Sequence, residues 1–475
     1  MAAMITPAPS PSHTTDPGGA GAPGTHPDLV ALGERLRETQ DTAGVRVDLF
    51  AERVRGTECF VPDSATVTGE PYEQAGFAVR VRHREAEGYV GLNSLSGEAF
   101  RLGLRAAADR AGATGFGTDD LAAAVLRAAG RLESQGSGPA GAPSAELLRA
   151  ARSAAVRAAP GTDSVSVSYS GADRAFLRLG PGLAHLETAQ RRHLVSCRAV
   201  IDGAGGPVVG YRKAGVRDLG AWESGLDIVR VGRNAGRAAA AKRTARPVAE
   251  RNVTLVIAAG ASGVLVHELL GHPLEGDVAA HRLAGVAWRE GDRIGPAGLH
   301  VADDPAGGGW GGFDHDDEGT PARLQQLVRD GTVTALLDAV GRQRRQSFRH
   351  PPSTRMSNVY VEPGPDDPAA LTASVRHGFH VARLGGGRVH PDGTFAFGAV
   401  DVRRIRRGAL AEPVSDAVVT GEVVAVLSGI RGLGDDFAMG SPATCVKYGQ
   451  EVPVGDGGPT LLVTGVDIEP ADTAS

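Results

Sequence analysis

The residues with the clearest chemical potential are His267, Glu268 and His272, in the run His267-Glu268-Leu269-Leu270-Gly271-His272. Neutral imidazoles bind zinc, and a carboxylate beside one of them can take a proton from a water that the metal activates. Hydrolysis of a peptide bond is the reaction such a set performs. In the familiar zinc helix the two histidines are four residues apart and share one face. Here they are five apart. In a regular α-helix five residues advance about 500°, a net ~140°, so the rings would point apart. A π-turn of ~4.4 residues brings them to within roughly 50°. Gly271 is conformationally permissive, and Pro273 lacks an N–H and disfavours the α conformation at His272. The spacing therefore predicts a helix that is distorted, or ends, at the second histidine. The bland alternative is two ordinary histidines at a helix end.

A catalytic zinc site needs a third protein ligand. Glu275, Asp277, Asp316, Asp317 and Cys445 are candidates, and spacing does not choose among them. A thiolate binds zinc strongly, and Cys445 sits among Gly440, Ser441, Pro442 and Gly449, a loop composition able to reach a site. Glu275 and Asp277 could orient the ligand histidines as hydrogen-bond acceptors, or serve a turn. The cluster Asp314-His315-Asp316-Asp317-Glu318 suggests either a second metal or a loop with a structural or substrate-positioning role, and the latter is the preferred expectation. His315 or Tyr448 could stabilise an oxyanion, although packing is the ordinary role for each. Lys447 reads as a loop salt-bridge partner, and Cys59 and Cys197 as structural thiols.

Elements must carry these residues. Asp28 can cap a helix bearing Leu29, Leu32 and Leu36. Val45, Val47 and Leu49 alternate as in a strand, and Phe77, Val79 and Val81 alternate before a hairpin partner at residues 89–92. Helices are expected at 96–111, 118–132, 144–158 and 222–243. Residues 136–143 read as a linker or long loop. Further strands are expected at 164–169, 175–179, 193–201 and 207–211. An apolar strand at 253–258 precedes the histidine segment. Beyond residue 280 short strands and Gly-rich turns dominate, with short helical pieces near 321–329 and 368–376. The expected architecture is α+β: a tail at 1–27, a mixed α/β domain at 28–250 and a β-rich domain at 251–475, with the metal-binding helix near the junction.

Composition bounds the rest. The chain has 475 residues, 41% hydrophobic and 22% charged, with a net charge of -5. This is a globular composition without a basic stripe, so nucleic acid is not an expected partner. No apolar run is long enough to span a membrane, and the Pro/Gly-rich start lacks the pattern of a secretory signal. Three cysteines, an odd count, imply no disulfide framework and suit the cytoplasm.

Several ordered segments resemble the TldD/PmbA family of metallopeptidases. They are the histidine run with Leu274-Glu275-Gly276-Asp277; Asp316-Asp317-Glu318-Gly319-Thr320-Pro321; Arg355-Met356-Ser357-Asn358; Gly378-Phe379 with Arg383-Leu384-Gly385-Gly386-Gly387; residues 395–399; and Cys445-Val446-Lys447-Tyr448-Gly449-Gln450. The resemblance is to the TldD-type catalytic subunit. It implies zinc held by His267, His272 and Cys445, with Glu268 as general base. It also implies a homologous TldE/PmbA-like partner, a site enclosed between subunits, and a peptide substrate, either an unfolded chain or a modified-peptide precursor. Val446 departs from the glycine common after the cysteine, which puts the local backbone path in question. The alternatives are an amide hydrolase acting on a small conjugate and a non-catalytic regulatory subunit.

Overall fold

A computed structural model describes residues 27–113, 130, 132, 141–217, 227–281, 286–337 and 340–471. The expected tail, most of the helix at 118–132, most of the loop at 136–143 and the start of the helix at 222–243 lie outside the described residues.

The first half is built on a six-stranded antiparallel sheet in the order β3-β2-β1-β4-β5-β6. Its strands are β1 (Val45–Val61), β2 (Thr68–His83), β3 (Ala86–Leu92), β4 (Thr162–Gly180), β5 (Leu183–Gly203) and β6 (Gly206–Val216). The strands expected at 164–169 and 175–179 are one strand, β4, because β1 pairs with it without a break from Leu49 to Val61. Helices α1 (Pro27–Ala43) and α2 (Gly97–Arg110) bury Leu32, Leu36, Phe100 and Leu104 against β1, β2 and β4. Helices α3 (Ala145–Ala158) and α4 (Ile228–Ala241) bury Leu148, Ile228 and Ala235 against β4, β5 and β6. Ser96 and Ser144 cap α2 and α3 by accepting from Ala99 N and Leu147 N. Cys197 is buried in the second of these cores, and Cys59 packs against it.

The second half holds two seven-stranded sheets. In one, Glu250–Ile257 lies between the parallel strand His377–Val389 and the antiparallel strand Leu461–Pro470. In the other, Asn358–Val361 lies between the antiparallel Val301–Asp303 and the parallel Gln450–Gly458. The helical segment bearing the histidines runs between them. Its Leu265, Val266, Leu269 and Leu270 share a core with Leu255, Ile257 and Phe379 of one sheet and Val301, Val359 and Val361 of the other. Fully burying one leucine contributes roughly 1.5–3 kcal/mol. The apolar residues thus anchor the segment, and the histidines are carried with it.

The helical piece expected near 321–329 is instead a strand, Gln325–Arg329, paired with Thr332–Val333. The turn between them has positive φ at both Asp330 (50°) and Gly331 (70°). Asp-Gly is the favoured pair for such a hairpin turn, so local turn chemistry overrides helix propensity. The helix Pro368–Ser374 lies where it was expected.

The two halves meet along a charged seam. Arg174 of β4 reaches Asp317 at 2.7 Å and also pairs with Glu52 of β1. Arg80 of β2 and Arg178 of β4 lie 2.6 and 3.0 Å from Glu318, and Arg178 also holds Asp48 at 2.8 Å. Phe348 packs with Phe50 and Phe176 beside this seam. No helix among the described residues is long and apolar enough to cross a membrane.

Candidate metal centre

The π-turn expected from the histidine spacing is present at His267–Gly271, with the His272 N–H donating to the His267 carbonyl. The two rings lie 5.0 Å apart between centroids and perpendicular to each other. Gly271 serves a different purpose from the one expected of it. Its backbone is ordinary right-handed helix (φ -57°, ψ -60°), but a Cβ there would lie 2.0 Å from Met356 Sδ. The glycine makes room rather than bending the chain. His272 is also right-handed helical despite Pro273.

Cys445 lies in a hairpin rather than a loop. The strands Ala443–Lys447 and Gln450–Gly458 pair from Ala443↔Val454 to Lys447↔Gln450. Tyr448 and Gly449, both at positive φ, form the turn. Arg355 clamps this hairpin, donating to the carbonyls of Cys445 (2.6 Å) and Gln450 (3.3 Å). Val446 pairs with Glu451 inside the regular ladder and its side chain is 63% exposed. The departure from glycine therefore leaves the backbone path undisturbed.

These two elements bring His267, His272 and Cys445 together, with one donor atom from each within 4.8 Å of the others. Cys445 Sγ is 3.2 Å from His272 Nε2. Burial alone would raise the Cys445 thiol, but His267 and His272 outweigh it and bring the pKa down to about 5. Two imidazoles and a thiol already inclined to ionise form a donor set that suits zinc better than magnesium or calcium. His267 Nδ1 is buried without a protein hydrogen-bond partner.

Glu275 stands behind His272. Its Oε2 accepts from His272 Nδ1 at 3.0 Å and Lys447 Nζ at 2.9 Å, and its Oε1 accepts from Met356 N at 3.0 Å. Burial opposes its ionisation, yet His272 and Lys447 hold its pKa down at about 2. With Nδ1 so engaged, Nε2 faces Cys445. Lys447 also reaches Asp277 at 3.1 Å and the Thr354 carbonyl.

Glu268 and the three donor residues line one cavity of about 960 Å³. Burial pushes the Glu268 carboxyl above its usual range. Other walls come from Tyr211 and Lys213 of β6, the glycine run 385–387, and Tyr448 at the rim. Burial, with Asp277 beside it, pushes the Tyr448 phenol up to about 12, so it remains an O–H donor at neutral pH.

The acidic cluster lies elsewhere. Asp314, His315, Asp316, Asp317 and Glu318 do not line this cavity, and the contacts of Asp316, Asp317 and Glu318 are those of the structural role that was one of the two expected for the loop. Asp316 accepts from the backbone N–H groups of Glu318, Thr320 and Gln343 at 2.9–3.0 Å, closing its own loop. Asp317 and Glu318 join the charged seam, Asp317 also accepting from Arg345 N at 2.7 Å. His315 packs on His185 with centroids 4.3 Å apart. The cluster belongs to no candidate metal group among the described residues. Sequence reasoning missed Lys213 and Asp456 on the cavity walls. A lone acid in the otherwise uncharged run Val452–Gly458 was the available signal for Asp456.

Residues 250–470 match the family model described as the PmbA/TldA metallopeptidase C-terminal domain. A metalloprotease of Methanothermobacter thermautotrophicus is 29% identical over 92% of this chain and 98% of its own length. The metalloprotease TldD homolog of Haemophilus influenzae is 31% identical over 45% of this chain and 47% of its own. A zinc metalloprotease TldD homolog of Saccharolobus solfataricus is 28% identical over 44% of this chain and 49% of its own. The matches to the last two therefore span about half of each relative's length. Among solved structures, TldE from Thermococcus kodakarensis superposes with a TM-score of 0.65 at 15% identity, covering 93% of this chain and 99% of that one. A Thermotoga maritima structure superposes with a TM-score of 0.71 at 14% identity, covering 92% of this chain and 99% of that one. At these identities the superpositions establish the fold.

Proposed function

We propose that this chain, whose C-terminal half belongs to the PmbA/TldD metallopeptidase family, is a zinc-dependent peptidase of the TldD type acting on unfolded peptides or modified-peptide precursors. The observation that carries this reading is the convergence of His267, His272 and Cys445 within 4.8 Å, with Glu268 on the wall of the same cavity.

His267, His272 and Cys445 would hold the zinc. Bound there, zinc supplies Lewis acidity, polarising a carbonyl and lowering the pKa of a water. The Glu268 carboxylate takes the proton of the attacking water and returns it to the leaving amine nitrogen. Glu275 keeps His272 Nδ1 occupied, so the ring cannot turn away from Cys445. Arg355 fixes the Cys445 backbone, and hence the position of the thiolate. Tyr448 at the rim offers a hydroxyl to a substrate carbonyl.

The cavity of about 960 Å³ is large enough to take several residues of an extended chain. A TldE-like partner follows from the family resemblance, and would complete the enclosure. A cytoplasmic location is in keeping with the three free thiols.

The test is Glu268→Gln in the zinc-loaded chain, assayed with and without a co-produced TldE-like subunit. Zinc content should stay at the wild-type value while peptide hydrolysis falls by at least about 10²-fold, the lower range for loss of a general base. Hydrolysis at the wild-type rate would refute the assignment.

A further inference from the structure

Asp456 lines the same cavity and has no part in the donor set. It is 4% exposed, and its Oδ1 is buried with no hydrogen-bond partner. The site around it is closely built. A Cβ on Gly440 would lie 2.3 Å from that oxygen, so only glycine at 440 leaves the carboxyl its place. Gly440 N donates to the Asp456 carbonyl at 2.7 Å. On the other side, a Cβ on Gly263 would lie 2.7 Å from the Asp456 carbonyl carbon. Gly263 is one helical turn before His267, so the turn that presents the ligand histidine rests on the backbone of Asp456. Along its strand, Asp456 shares a face with Val454 and with Val452, the residue opposite Cys445. An acid thus ends an otherwise apolar face leading from the metal ligands.

Another part of the cavity lining carries a cation. Val209, Tyr211 and Lys213 alternate along β6 and line the cavity together. Lys213 and Asp456 form no ion pair among the described residues, although each feels the other's charge. A buried carboxylate with no counter-charge in contact is costly, and the cost is removed when a cationic donor arrives. Burial pushes the Asp456 carboxyl up to about 6, in keeping with that want of a partner.

We propose that Asp456 determines specificity by receiving an ammonium group of the peptide, and that Lys213, lining the same cavity, opposes the same group and so sets the direction in which the chain lies. An ammonium fits better than a neutral amide N–H because it brings both hydrogen bonds and the missing charge. A lysine side chain and a free N-terminus carry the same chemistry. This inference rests on the peptidase reading and names part of its substrate class.

The experiment measures kcat/KM of the zinc-loaded full chain, co-produced with the TldE-like subunit, on peptides that differ by lysine or norleucine at each position around the scissile bond, each with a free or acetylated N-terminus. Wild type should prefer the ammonium-bearing member of a pair. Asp456→Asn should reduce that preference at least tenfold, chiefly through KM, and Lys213→Met should raise it. A purely structural defect would slow both members of a pair alike and leave their ratio unchanged. Preference that follows lysine identifies the side chain; preference lost on acetylation identifies the N-terminus. An unchanged ratio in both variants, with zinc content and hydrolysis retained, would overturn the role of Asp456 and leave the peptidase reading standing. If Asp456→Asn fails to fold, the direction of change in Lys213→Met decides. If the wild-type chain cleaves no peptide in the panel even with the TldE-like subunit present, the peptidase reading falls and this inference with it.

Discussion

Lys447 Nζ lies 2.9 Å from Glu275 Oε2, joining positions 172 residues apart in the chain. The same carboxylate oxygen accepts from His272 Nδ1 at 3.0 Å. One buried acid therefore links the helix that carries two donors to the hairpin that carries the third.

Zinc affinity should depend on this link. Glu275→Gln is expected to weaken zinc binding by about 10–100-fold, the usual effect of removing an acceptor behind a ligand histidine. Lys447→Met should act in the same direction, and the double variant should lose less than the two single effects combined. Competition against a chromogenic chelator measures all three. Wild-type affinity in Glu275→Gln would show that the His272 contact does not support the site. Lys447 keeps Asp277 as a partner, so the loss of stability should be smaller than for an isolated buried pair.

Packing against the π-turn makes a second prediction. Gly271→Ala would drive a Cβ to 2.0 Å from Met356 Sδ, and Met356 is fully buried. Overpacking of this kind costs about 1–3 kcal/mol. Adding Met356→Ala frees the space, so the cost of Gly271→Ala should be smaller in that background. Denaturant unfolding of the four proteins in the cycle gives the coupling energy. If Gly271→Ala costs the same in both backgrounds, the methionine contact is not the reason for the glycine.

The charged seam should make the fold acid-sensitive. Burial would raise the Asp48 carboxyl, but Arg178, Arg80 and Arg46 hold it well below its ordinary 3.8. Glu318 is likewise held below its ordinary 4.5, burial being outweighed by Arg178, Arg345 and Arg80. Carboxylates with lowered folded-state values stabilise the fold above their unfolded values, and that contribution is lost as pH falls. The melting temperature should therefore drop from about pH 4.5 downward. Glu318→Gln should flatten that acid limb, having already lost stability at neutral pH. An unaltered acid limb in Glu318→Gln would assign the acid sensitivity to other groups.

Much of the site was legible along the chain because its signals are local. The five-residue spacing of His267 and His272 pointed to a helix distorted or ending at the second histidine, with a π-turn as the arrangement that would align the rings, and a π-turn is there. Alternating apolar residues marked β1 and the β2–β3 hairpin, and serines marked the starts of α2 and α3. The Asp330-Gly331 turn was an equally local signal, yet a helical piece was expected there.

Other features exist only because distant segments meet. Spacing left five candidates for a third ligand, and family resemblance favoured Cys445. Its proximity to the histidines arises from a hairpin whose backbone Arg355 clamps and whose Lys447 is tied to Glu275 behind His272. The acidic cluster left a second metal open beside the preferred loop role, because carboxylates read alike until their partners are known. Arginines from β2 and β4 turn Asp317 and Glu318 into a seam between the two halves, and backbone N–H groups occupy Asp316. The sequence by itself determined which donor types exist, their local register and the apolar residues that bury their helix. Tertiary structure decided which of those donors converge and which acids are neutralised, because burial and charge pairing depend on neighbours that the order of residues does not name.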